Sequence, residues 1–90
     1  MFDNNKLELN YAKLVPNEIR KMIIEKKMIG TASEFSDQKG TPMEFLFDVY
    51  EEFLDPSQNI GPFSCPKCRL EVLNVFRKLE PYFLQLNSNQ

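Results

Sequence analysis

The sequence predicts an all-α protein, a small three-helix bundle with an extended N-terminal arm. Three observations carry that expectation. Apolar residues recur with the 3.6-residue helical period in three separate stretches. Each stretch opens near a proline, Pro16, Pro42 or Pro66, at a position where the missing N–H costs no helical hydrogen bond. The stretches are joined by polar connections of about ten residues, the pattern of a helical bundle. The expected layout is an arm over residues 1–15, one helical domain over 16–86 and a flexible polar tail over 87–90.

Residues 1–15 are mixed and polar. Leu7, Leu9, Tyr11 and Leu14 alternate loosely, as a short strand or an extended arm would, and an arm packed on the body or on a partner is the favoured reading. The first helix starts at Pro16. Ile19, Met22, Ile23 and Ile24 give it an apolar stripe, Arg20, Lys21, Lys26 and Lys27 are expected in solvent, and Gly30 is the natural C-terminal stop. Residues 31–40 form a polar connection with room for one helical turn. Thr31 and Glu34 have capping-box spacing there, and only Phe35 could anchor the turn in a core.

The second helix has the strongest start signal. Thr41-Pro42-Met43-Glu44 combines an N-cap, a proline at the first helical position and a capping-box glutamate. Met43, Leu46, Phe47, Tyr50, Phe53 and Leu54 then follow the helical period, and Asp55-Pro56 ends it because the residue before proline disfavours helical geometry. Its outer face is acidic, with Glu44, Asp48, Glu51 and Glu52. The first and third helices carry basic residues, so the second is expected to lie between them. Residues 56–63 read as a loop. Ser64 or Cys65 caps the third helix, whose stripe is Cys68, Val72, Val75, Phe76 and Leu79, widened by Leu70 and Leu73. Pro81 is expected to end or kink it, with room for Tyr82, Phe83, Leu84 and Leu86 to continue it briefly.

Composition narrows the function. Ninety residues suffice for one domain, and 42 % apolar residues suffice for its core. The net charge of −2 offers no strong attraction to nucleic acid or to an anionic membrane. No run approaches the roughly 20 apolar residues of a membrane span, and the first residues lack the pattern of a secretory signal. Two cysteines are too few for a disulfide-stapled scaffold, so an intracellular location is expected. The chain has no histidine, which removes histidine-based catalytic triads and every zinc site that needs imidazole. No phosphate-binding loop, dinucleotide fingerprint or nucleophile elbow is present, and the acidic face of the second helix reads as a solvated surface.

The stretch SCPKCRLEVLNVFRKLEP, residues 64–81, holds both cysteines. Three readings stand beside one another. The leading one is structural: Cys65 caps the helix or packs beneath the 56–63 loop, and Cys68 joins the stripe of Val72 and Phe76 as a small apolar residue. A second is zinc shared between chains, because Cys65 and Cys68 make only half of a four-thiolate site. A third is a redox pair, since a helix N-terminus favours a thiolate. Cys-Pro-x-Cys at a helix start resembles the active site of thioredoxin-like oxidoreductases, which place it after a β-strand that this chain lacks. It also resembles the zinc-hook motif, which sits on long coiled coils. Over residues 64–80 the chain resembles small uncharacterised proteins of tailed bacteriophages, in which Cys-x-x-Cys opens a charged amphipathic helix. That resemblance implies a virion component or a host-interacting accessory protein and carries over no catalytic residue.

Aromatic residues are numerous, with eight Phe and three Tyr. They exceed what one side of a three-helix core easily absorbs, and Phe45 and Val49 lie off the main stripe of the second helix. Phe45, Val49, Tyr82 and Phe83 are therefore the candidate interaction residues. The expected function is a non-enzymatic protein–protein interaction module, bound to another protein or to copies of itself. The alternative is a small zinc-bridged or redox-responsive protein using Cys65 and Cys68.

Overall fold

A computed structural model describes residues 3–55 and 57–88, with side chains from residue 7 onward. The described elements are α1 (Asp3–Ala12), α2 (Asn17–Glu25), α3 (Met28–Thr31), α4 (Pro42–Val49), a π-helical turn (Tyr50–Leu54) and α5 (Pro66–Ser88). The all-α class is as expected, and all three predicted helices are present. Met1 and Phe2 of the expected arm, and Asn89 and Gln90 of the expected tail, lie outside the described residues.

Five local expectations are corrected. The described part of the arm is mostly helix: α1 packs against α5 and leads Ala12 and Val15 into the core. Its low amphipathicity hid it, and packing on a longer helix supplies the stability that its own sequence does not. Asn87 and Ser88 belong to α5 rather than to a free tail, and the Asn87 side chain accepts a hydrogen bond from Arg20.

The first predicted helix breaks before Gly30. Lys27 adopts the left-handed conformation, at φ 52°, and Gly30 lies inside α3. The chain turns at Lys27 so that Met28 and Ile29 both reach the core. Arg20, expected in solvent, is only 7 % exposed.

Pro81 does not end α5. Proline removes the hydrogen bond to the carbonyl of Arg77, but Arg77 and Pro81 are both exposed, so water can reach that carbonyl. The helix continues because Phe83 is buried beyond it, edge-to-face with Phe76 at 6.1 Å.

The centre of the fold is α5, not the second predicted helix. At 1.5 Å per residue it runs about 34 Å, close to the molecule's longest dimension of 35 Å. It packs against α1, α2, α3 and α4, burying Arg69, Val72, Leu73, Phe76, Leu79 and Phe83 along one stripe. α4 starts as its sequence predicts. The Thr41 side chain accepts the Glu44 N–H at 3.3 Å, and the Glu44 carboxylate accepts the Gly40 N–H at 2.7 Å. After Val49 the helix widens into the π turn, which delivers Leu54 and Asp55 to the interior.

Candidate functional site at the start of α5

Cys65 caps α5 through its sulfur. Its Sγ accepts the N–H of Cys68 at 3.2 Å, while its carbonyl accepts the N–H of Arg69 at 3.1 Å. Pro66 follows as the first residue of the helix. This is the cap expected from the sequence, with sulfur in place of the usual side-chain oxygen. Both cysteines are free and half-buried. The hydrogen-bonding influence of the neighbouring Cys68 thiol, and then of the Cys68 N–H, pulls the Cys65 thiol below its ordinary range. The Cys65 thiol, and then burial, pushes Cys68 up.

The loop before α5 is fitted to these sulfurs. Asp55 is buried, and its carboxylate accepts the N–H groups of Asn59 at 3.0 Å and Ile60 at 2.8 Å. Its carbonyl accepts the N–H of Gln58, which is left-handed at φ 57°. The folded loop then sets Gly61 directly on Cys68, where a Cβ would meet the Cys68 Sγ at 2.8 Å. Only glycine leaves room for that sulfur. The sequence had marked Asp55 only as a helix terminator. The signal for its second role was an aspartate followed four and five residues later by free backbone donors, a local side-chain-to-backbone pattern.

One turn into α5, Arg69 is 4 % exposed. Its Nε donates to the carbonyl of Glu34 and its Nη1 to the carbonyl of Phe63, each at 2.7 Å. The guanidinium lies over the Phe63 ring, 5.6 Å from its centroid, and Phe63 packs edge-on against Phe47 at 5.3 Å. Arg69 therefore clasps two loops to one helix. The first loop carries Phe35, whose N–H donates to the Ser33 hydroxyl at 3.1 Å while the Ser36 N–H donates to the Ser33 carbonyl at 3.0 Å. The Phe35 side chain stands 83 % exposed on this pinned turn. The sequence suggested the opposite, an aromatic anchored in the core.

The four candidate interaction residues do not form one surface. Val49 and Phe83 are core residues, and Phe45 and Tyr82 are half-buried against that core. The Tyr82 hydroxyl donates to the Glu8 carboxylate of α1 at 2.9 Å. α1 packs on α5, where Tyr82 and Phe83 lie, and covers part of the surface that an extended arm would leave open. The acidic residues of the second helix behave as expected: Asp48, Glu51 and Glu52 are exposed, and Glu44 serves the cap. Among the described residues, no group of three or more cysteine, aspartate or glutamate side chains is placed to hold a metal ion. A zinc site using Cys65 and Cys68 would need ligands from a second chain. Among the described residues, no helix is long and apolar enough to cross a membrane.

No protein-family model, curated protein or solved structure matches the chain significantly. The functional reading therefore rests on the geometry at this end of the molecule.

Proposed function

We propose that the protein is a non-enzymatic docking module that engages another protein through Phe35, as a small component of a larger assembly. The observation that carries this reading is the exposure of Phe35 on a turn fixed by Ser33 and clasped by Arg69. A large apolar side chain held in solvent by an ordered backbone has already lost much of the freedom that binding would otherwise remove. Aromatic anchors of this kind carry a large share of the energy in protein interfaces. The phage-like opening of α5 supports a virion or host-interacting accessory role.

The test is site-specific crosslinking. A photoreactive phenylalanine analogue is placed at Phe35 and, as a control, at Asn74, which is exposed on α5. In the cells that make the protein, position 35 should give one discrete adduct and position 74 none. Phe35→Ala should lose the same partner without a change in thermal melting, since nothing in the core rests on that ring. Equal labelling at both positions would refute the reading. An adduct of twice the chain's own mass would replace the partner with a second copy.

A further inference from the structure

We propose that Cys65 and Cys68 form a thiol–disulfide exchange site, with Cys65 as the attacking thiol and Cys68 as the resolving thiol. The substrate class is a reactive disulfide, either glutathione disulfide or a disulfide on another protein. The site stands whether or not Phe35 engages a partner.

Three features of the geometry carry the proposal. The two cysteines already sit in one helical turn, with the Cys68 N–H donating to the Cys65 Sγ at 3.2 Å, so no rearrangement of the backbone is needed to bring them together. Residues three apart in a first helical turn have Cα atoms about 5 Å apart, inside the range of roughly 4.4–6.8 Å that a disulfide spans. The two sulfurs also have different surroundings. Cys65 Sγ lies at the N-terminal end of a helix of 23 residues and receives the Cys68 N–H at 3.2 Å, an arrangement that stabilises a thiolate. Cys68 Sγ lies beneath Gly61 and against the core, where it is shielded on one side. A helix cap needs one polar acceptor, and serine or aspartate would supply it. The capping role accounts for neither a second thiol in the same helical turn nor a loop shaped to leave room for it.

The reaction balances as two exchanges. The Cys65 thiolate attacks one sulfur of the substrate disulfide, whose S–S bond breaks, and the first substrate thiolate leaves and takes a proton from water. Cys68 then gives its proton to solvent and attacks the Cys65 sulfur of the mixed disulfide, expelling the second substrate thiolate. The two cysteines lose two electrons and two protons, and one substrate disulfide becomes two thiols.

The experiment uses the full chain, reduced, as wild type, Cys65→Ser and Cys68→Ser. Each is incubated with glutathione disulfide near neutral pH, quenched with an alkylating agent and read by intact mass. Wild type should lose two hydrogens, retain no glutathione and escape alkylation. Cys68→Ser should accumulate one glutathionyl group, at least about tenfold faster than Cys65→Ser does. Circular dichroism of each variant, and a parallel pair with alanine at each position, keeps the comparison among folded chains. Equal rates in the two single variants, or wild type that keeps glutathione on either thiol, would overturn the assignment. Zinc that copurifies as one ion between two chains and blocks exchange would overturn it as well.

Discussion

Arg20 and Arg69 are both buried, and each is answered by one oxygen atom from a distant part of the chain beside nearer ones, yet they hold the two ends of α5 in different ways. Arg20 reaches that helix from α2. Its Nη1 donates to the Val15 carbonyl at 2.6 Å, its Nε to the Asn87 side chain at 2.9 Å and its Nη2 to the Asn17 side chain at 3.4 Å. Arg69 belongs to α5 itself and donates twice to backbone carbonyls, from Glu34 and Phe63. The two grips are about 27 Å apart along the helix axis. Two of the three Arg20 partners are flexible amides that can turn to water if the arginine is lost. The Arg69 partners are carbonyls fixed in loops, under a guanidinium that also covers an aromatic ring. The end held by Arg69 is the one that carries Phe35, Gly61 and the cysteines. The rigid clasp stands at the end that carries the exposed Phe35 side chain and the two free cysteines.

The largest expected effect breaks that clasp. Arg69→Met keeps the apolar stem and removes both donors, and should cost about 3 kcal/mol of stability, because charged donors are lost and two carbonyls are left behind. Chemical denaturation measures it, and a loss under about 1 kcal/mol would show that the loops hold themselves. Arg20→Met should cost about 2 kcal/mol, because Asn17 and Asn87 recover water. The comparison fails if Arg20 proves the costlier of the two.

A smaller effect lies between the two ends, where the Tyr11 hydroxyl donates to the Leu54 carbonyl at 3.0 Å. Tyr11→Phe should cost about 1 kcal/mol near neutral pH. Burial, and then the neighbouring Tyr50, pushes the Tyr11 phenol from its ordinary 10.0 up to about 12. The folded chain therefore holds this proton more tightly than the unfolded chain. The contribution is fully present below pH 10 and is lost as the pH rises toward 12. Stability of the wild type should fall across that window more steeply than stability of Tyr11→Phe, and parallel slopes would remove Tyr11 from the account.

The smallest effect lies away from both clasps and has the opposite sign. Gly30 is helical and has nothing within 4 Å of where a Cβ would stand. Gly30→Ala should stabilise the chain by about 0.5 kcal/mol, through helix propensity and the entropy of the unfolded chain. A glycine acting as the left-handed stop would instead make the same change destabilising, so the sign of the shift in melting temperature decides between the two placements.

What the sequence determined by itself was local. The box at Thr41 and Glu44 and the sulfur cap at Cys65 appear where their residues predicted, and the apolar periods of α4 and α5 face the core, except that Leu70 of the expected α5 stripe is exposed. These features depend on backbone groups within one or two helical turns, so the information lies in neighbouring letters. The stripe of α5 was legible, but its place at the centre was not, because that depends on how many other helices find it. The tertiary structure alone decided that Arg20 and Arg69 would be buried, that α1 would be a helix and that Phe35 would stand in solvent. The partners responsible are remote: Arg69 meets Glu34 from 35 residues away, Arg20 meets Asn87 from 67, and Tyr82 meets Glu8 from 74. A lone arginine reads as exposed because burying its charge without partners is costly. Only when folding brings carbonyl and amide oxygens to the guanidinium does burial become favourable, and for each arginine one of those oxygens, from Asn87 or from Glu34, belongs to a residue that no local pattern could pair with it.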